Sequence, residues 1–355
     1  SSTIIGGSTS NTSDDGADLI QFAGAVTATS VQSNQGNDSI SFDLGISATT
    51  IGGSTGNDSI WVGSTVDGLS NIQGGDGNDF ISLGNQIYNS SSAIGGVGDD
   101  TITIRSDIGN ATGSRAYVDG GEGSDLISVD GNVLASSSLL GGSGNDLAYV
   151  GGLRSNGLLN LGLDNDTLRV ANGVTSSTVL SEAGDDSISV VGAFESSSLN
   201  AGSGADTVVI VGAVSASTVF GDAGADLFSI GGGMTDVSLM GGDGNDSFNL
   251  AGVITNTTVN TGVGFDSIVL SGSSPTNFAV TGALTSTSII GGGDVDVINV
   301  LANLSAGYVS LGAGADSIFF SGTVTASTVV GAAAGDTISL SGANDDLSFS
   351  SATNA

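Results

Sequence analysis

The sequence predicts an all-β chain wound as a parallel β-solenoid of the β-roll or β-helix kind, about 16 coils of 20 residues with two short strands per coil. Three observations carry that expectation: an aspartate recurs at a near-constant interval, apolar residues follow it at alternate positions, and glycine-rich turns separate the runs. The recurrent residues are Asp18, Asp38, Asp58, Asp79, Asp100, Asp125, Asp146, Asp166, Asp186, Asp206, Asp226, Asp246, Asp266, Asp296, Asp316 and Asp336. From Asp146 to Asp266 the spacing is 20 residues six times in succession.

Each coil is built in the same order. Positions two and four after the aspartate are apolar, as in Ile60 and Val62, Ile188 and Val190, or Phe248 and Leu250, so one face of a short strand is buried. A second short strand, such as residues 218–220 or 328–330, returns the chain to the next turn. Twenty residues are too few for a helical crossover, which leaves in-register stacking of one coil on the next. The result is a single continuous solenoid over residues 1–355, with insertions near residues 6–14, 105–115 and 272–282. The last two account for spacings of 25 and 30 between aspartates, and loops are expected to emerge there.

Composition narrows the chemistry. The chain has 60 Gly, 1 Pro, no Cys and no His, and its 4 basic residues, all arginine, face 36 acidic ones for a net charge of -32. A thiol nucleophile, a Ser/His/Asp triad, an imidazole base, a Schiff-base lysine and the usual zinc ligands are thereby excluded. A phosphate backbone and an anionic membrane surface are repelled, so nucleic acid is not a partner. No apolar run approaches a membrane span. The chain opens at Ser1 without a basic and apolar leader, which fits a processed product or a segment of a longer polypeptide.

Stacking the coils brings successive aspartates to about 4.8 Å, a repulsive arrangement unless protons or cations lie between them. Glycine stands two residues before the aspartate in thirteen of sixteen units, allowing backbone conformations that aim carbonyl oxygens into the turn. Carboxylates with carbonyls are ligands for calcium; magnesium demands stricter octahedral geometry, and softer metals want the absent His or Cys.

The segments 74–79, 95–100, 120–125, 141–146 and 241–246 all fit GGxGxD. With them the chain resembles the repeats-in-toxin (RTX) family of calcium-binding β-rolls over nearly its whole length. The resemblance implies calcium ions between successive turns, held by the sixteen aspartates and by turn glycines at Gly74, Gly77, Gly95, Gly98, Gly120, Gly123, Gly141, Gly144, Gly241 and Gly244. A usual β-roll coil of about 18 residues carries two nonapeptides, whereas here one turn per coil carries the motif. Calcium is therefore expected along one edge only, up to about 15 ions.

Other features bear on partners. Arg105 and Arg115 fall in the first insertion, as a charge-balancing loop or an acidic-ligand site, and Trp61 is expected to point outward between Ile60 and Val62. The edge opposite the motif carries a Ser/Thr column that includes Thr175, Ser177, Ser197, Ser215, Ser217, Thr255, Thr257, Ser305, Thr325 and Ser327. It reads as a hydroxyl ladder satisfying turn backbones, an O-glycosylated strip, or an array suited to ice. Thr-Gly-Asn, the triplet of ice-binding relatives of this repeat, occurs once, at residues 55–57.

The leading functional expectation is an extracellular, calcium-stabilised structural rod in a bacterial surface layer, filament or matrix, with self-association or neighbouring solenoid segments as partners. The alternative is an adhesin or an ice- or glycan-binding solenoid with a cell-surface glycan as its ligand. A carbohydrate-active enzyme is disfavoured, because carboxylates present in every coil serve the repeat.

Overall fold

The computed structural model describes residues 2–5, 16–271, 276–291, 295–331, 335–341 and 347–351; the expected insertion near residues 6–14 lies outside them. No helix occurs among the described residues. Contacts divide the chain into two units, Ser1–Glu182 and Ala183–Ala355, and each is a parallel β-solenoid.

A coil of the first unit runs through a post-turn strand, Ser59–Val62, a two-residue strand, Val66–Asp67, and a pre-turn strand, Asn71–Asp76. The first and last are the two strands expected from the sequence. The middle one adds a third side to the coil, too short to leave an alternating signature. Coils stack in parallel, and two apolar columns of the first unit stay in register: Ile40, Ile60, Ile81, Ile102 and Ile127 form one, and Ile51, Ile72, Ala93, Val118 and Leu139 the other. Ile46, Val66, Ile87, Ile108 and Val133 line the third side. All are buried, so each coil contributes a handful of apolar side chains to a thin continuous core. The second unit repeats the plan, with Val208, Phe228, Phe248 and Ile268 after the turn and Leu199, Val219, Leu239 and Val259 before it. Phe228 and Phe248 stack with ring centroids 4.9 Å apart. Trp61 faces outward at 40% exposure, its ring lying against Gly63, where an added Cβ would come within 2.8 Å of it.

The corner between the two-residue strand and the pre-turn strand is built from hydroxyls. Ser217 Oγ donates to the Ser215 carbonyl at 2.7 Å and accepts from Ser197 N–H at 3.1 Å; Thr49 donates likewise to Ser47, and Ser70 accepts from Thr49 N–H. The preceding residue takes a left-handed conformation, φ 47° at Ala216 and 66° at Leu69. That turn exposes backbone groups that the hydroxyl then satisfies. The Ser/Thr members at this corner are thus a backbone-satisfying ladder, the first of the three expected readings.

The two longer repeats resolve differently. In the first unit Arg105 remains in regular register, its N–H donating to the Leu83 carbonyl at 3.0 Å, and Ile108 still bridges Ile87 and Val133. The added residues follow Ile108, so the insertion expected over 105–115 is confined to its second half. Asn110 closes this loop, its Oδ1 accepting from the N–H groups of Thr112 and Ser114 at 3.1 and 3.0 Å.

In the second unit the spacing of 30 exceeds a 20-residue coil by half a turn. Residues 272–275 lie outside the described set, but Thr276–Thr285 is a strand rather than the expected loop. Ser267–Val269, which follow Asp266, pair with Ser288–Ile290, a pre-turn strand. Conversely, pre-turn residues Thr258–Asn260 pair with Ala279–Thr281, and Phe278–Val280 pair with post-turn residues Ile298–Val300. The half-coil therefore exchanges the two long faces. It also carries the late short strands, beginning with Leu284 over Gly264, onto the edge that held the motif turns.

The hydroxyl corner is testable. Ser217→Ala is expected to lose about 1–3 kcal/mol, because the buried Ser197 N–H loses its hydroxyl acceptor, while the Ser215 carbonyl keeps the Ser196 N–H. Urea denaturation measures this, and an unchanged midpoint would return the column to a surface role.

Candidate metal centre

The motif aspartates are the most unusual buried groups of the fold. Fourteen of them, Asp38 through Asp316 in the series above, are at most 3% exposed, while Asp18 and Asp336 are half-buried. Within a file the backbone N–H of one aspartate donates to the Oδ1 of the next. In the first unit Asp18, Asp38, Asp58, Asp79 and Asp100 do so at 2.7 Å, and Asp125 and Asp146 at 2.8 Å. In the second unit Asp186 reaches Asp206 at 2.8 Å, and the file continues through Asp226 and Asp246 to Asp266 at 2.9–3.0 Å. A separate file joins Asp296 to Asp316 at 2.8 Å and Asp316 to Asp336 at 3.1 Å.

The second oxygen is the informative one. Oδ2 of Asp18, Asp38, Asp58, Asp79, Asp100, Asp125, Asp146, Asp206, Asp226, Asp246 and Asp316 is buried without a hydrogen-bond partner. It faces further acceptors. A Cβ placed on Gly74 would overlap Asp79 Oδ2 and lie 2.6 Å from the Gly95 carbonyl oxygen of the next coil. The same pair of atoms surrounds Gly53, Gly95, Gly120, Gly141, Gly221 and Gly241, with carbonyls from Gly74, Gly120, Gly141, Leu161, Gly241 and Thr261. Carboxylate and carbonyl oxygens thus converge around a glycine that has no room for a side chain. Two lone-pair acceptors in one buried cradle call for a proton or a cation between them.

The glycine two before the aspartate has a different reason. Gly77, Gly98, Gly123, Gly144 and Gly244 adopt φ between 110° and 141°, the left-handed region that folds the turn back on itself.

Burial first, with neighbouring carboxylates adding to it at most positions, pushes ten of the ladder aspartates above the ordinary carboxylate range. The backbone N–H bond partly offsets the rise. Asp79, Asp125 and Asp206 are raised to about 7, and Asp100, Asp146 and Asp246 to about 6. Asp58, Asp226, Asp266 and Asp316 are raised as well, with burial the largest cause.

Sequence reasoning placed the aspartates and the turn glycines in this site but passed over a second ladder beside it. The residue before the aspartate runs a file in the opposite sense: Asn37 Oδ1 accepts from Asn57 N–H at 2.8 Å, Asn57 from Asn78 at 2.9 Å, and Asn245 from Phe265 at 2.9 Å. The recurrent Asn-Asp pair was its only signal. The single calcium edge expected from the repeat is corrected by the half-coil. Thr287 takes the position after Asp266, since Ser288 N–H donates to the Asp266 carbonyl, and Asp296, Asp316 and Asp336 form their file on the other long face. Among the described residues, no three or more Asp, Glu, His or Cys side chains gather as a metal cluster, so any ion here takes much of its coordination from carbonyls.

These features define a parallel β-solenoid with an internal aspartate ladder. No protein-family model matches the chain, and no curated protein matches it. Among solved structures it is similar to one described as a hyperactive, Ca2+-dependent, beta-helical antifreeze protein from an Antarctic bacterium, at 22% identity and TM-score 0.43, covering 93% of this chain and 85% of that one. A likeness at that level says nothing about what this chain binds.

Two outcomes follow from the geometry. Gly95→Ala is expected to destabilise by about 1–3 kcal/mol through overlap with Asp100 Oδ2 and the Gly120 carbonyl, read as a lower thermal midpoint in calcium. In chelator, stability is expected to fall as pH rises from about 4 towards 7. The raised carboxyls bind more protons folded than unfolded across that window, so their stabilising contribution is complete below the unfolded value and lost through the folded one. Circular dichroism in chelator at about pH 5 and about pH 8 measures the trend as a loss of β signal, and a gain with rising pH would contradict the burial of charged ladder oxygens.

Proposed function

We propose that the chain is a calcium-stabilised, non-enzymatic structural solenoid of the RTX type that works outside the cell. One observation carries this reading: the repeated buried cradle in which a partnerless aspartate oxygen faces a carbonyl of the next coil. The donor set fits a hard, flexible oxygen-loving cation. The motif aspartates, with carbonyls at positions such as Gly74, Gly95, Gly120, Gly141 and Gly241, would hold the ions. Bound calcium supplies positive charge where the fold has packed only acceptors. The residues themselves do the rest: glycines admit the close approach, and the aspartate N–H bonds keep each carboxylate aimed along the column.

A chain of net charge -32 with buried carboxylates is poorly folded where calcium is scarce and folds where it is abundant, which favours an exported location. Exposure of apolar residues at one end of the described stack supports assembly with neighbouring solenoid segments or copies. Ile20 and Phe22, at the first described post-turn strand, are only half-buried, whereas their stacking partners Ile40 and Phe42 are fully buried. An ice-binding role is less well supported, because one outward column of the first unit reads Ser41, Trp61, Ser82, Thr103, Ser128, Tyr149 and Arg169. That succession presents no single repeated hydroxyl.

Circular dichroism with light scattering, taken from chelator to millimolar calcium and repeated with magnesium, tests the proposal. A cooperative gain of β signal with calcium at concentrations where magnesium has none is the expected result, with increased scattering if the coils assemble. A full β signal in chelator, unmoved by calcium, would overturn the calcium dependence.

A further inference from the structure

We propose that the cleft beside the 109–114 loop of the first unit binds an acidic sugar residue carried on an otherwise neutral glycan. The cleft has a volume of about 320 Å³ and is lined by Ser90, Ser91, Arg115, Ala116, Tyr117, Ser136 and Ser138. Its volume falls at the lower end of the roughly 300–1,000 Å³ of small-molecule sites.

The cleft exists because this coil departs from the repeat. At other corners a left-handed residue is followed directly by the pre-turn strand, through a bonded hydroxyl at Ser70 or Ser217 and through Gly157, Val237 or Gly307 elsewhere; here the chain leaves the corner after Ile108, closes on Asn110 and returns at Arg115. Ser90 N–H donates to the Arg115 carbonyl at 2.7 Å, fixing where the arginine re-enters. On its other side the loop lines, with Leu134, Ser136 and Asn156, a second cavity of about 260 Å³. The corner thus opens between Ser90 and Ser136, two coils apart, with Arg115 between them.

The lining groups suit one ligand chemistry. All four basic residues of the chain, Arg105, Arg115, Arg154 and Arg169, fall within residues 105–169, so positive charge is available in this stretch of a strongly acidic chain, although the stretch itself remains net negative. Arg115 is exposed and offers a planar donor fork that matches a carboxylate. Tyr117 donates its hydroxyl to Asp119 Oδ2 at 2.6 Å, which anchors the ring, 38% exposed, as an apolar surface for the C–H face of a sugar. Ser90, Ser136 and Ser138 supply hydroxyls that both donate and accept, as sugar hydroxyls do. The net charge of -32 works against a polyanion, so the ligand carries one carboxylate among neutral residues.

This site is independent of the aspartate ladder, and the test holds calcium constant throughout. The full chain is titrated with methyl α-D-galacturonide and, in parallel, with neutral methyl α-D-galactoside, following Arg115 and Tyr117 resonances by NMR. Saturable binding of the acid, about tenfold tighter than the neutral sugar, is the expected result. Arg115→Ala should weaken it at least about tenfold, Arg115→Lys less, and Tyr117→Ala should weaken both sugars, each variant keeping the parent's circular dichroism. Absence of saturable binding, equal affinity for the two sugars, or binding of the acid undiminished in Arg115→Ala would overturn the proposal; the last outcome would assign the carboxylate to bound cations instead. Should Arg115→Ala not fold, Arg115→Gln carries the same comparison.

Discussion

The bond on which the rest of the structure depends is the one from an aspartate N–H to the carboxylate of the aspartate one coil on. It fixes Oδ1 and, with it, the direction of the whole side chain, so that Oδ2 is driven into the turn against a carbonyl. The geometry of the coil answers to this contact. Where a glycine stands beside Oδ2, as at Gly74 or Gly95, the contact leaves no space for a Cβ; other coils place Leu161, Ala201 or Leu311 at that position. The apolar columns keep register because a slip by one residue would turn the ladder outward and bury a polar face. A fold organised around closely stacked acids is stable only with their charge compensated, which is why protonation and cation binding act on the same atoms.

The two corners of a coil solve one backbone problem with different side chains. At the motif corner an N–H facing the next coil is met by a carboxylate oxygen; at the opposite corner it is met by a hydroxyl, as in Ser197 to Ser217 or Gly307 to Ser327. That equivalence is what lets the half-coil after Asp266 pass without breaking the stack. The column occupied by aspartate up to Asp266 continues through Thr287, Gly307 and Ser327, while the acids resume on the other long face at Asp296. Backbone pairing tolerates the exchange because both strand types present alternate apolar residues inward. The consequence is electrostatic: within the second unit the charge of the ladder is split between two faces.

Departures from the repeat concentrate where something other than stacking is at stake. The loop closed by Asn110 opens the corner beside Arg115 and Tyr117, in the one stretch that carries arginines. Their clustering gives this part of an acidic chain a surface chemistry found nowhere else among the described residues.

Much of this was legible in the residues themselves. A strict 20-residue period with alternating apolar positions dictates parallel coils, since no other winding buries Ile60 and Val62 together with their counterparts in every repeat. The recurring Asp79-type residue with its glycines marked the site, because like charges brought into register demand compensation. What the linear pattern did not disclose was which oxygen bonds to the backbone, which glycine yields space to a carboxylate and which one supplies the left-handed turn. Those distinctions depend on atoms 20 or more residues apart meeting across coils. Nor did a spacing of 30 announce an exchange of faces: a half-coil and a protruding loop have the same length in sequence, and only the pairing of Ser267 with Ser288 decides between them.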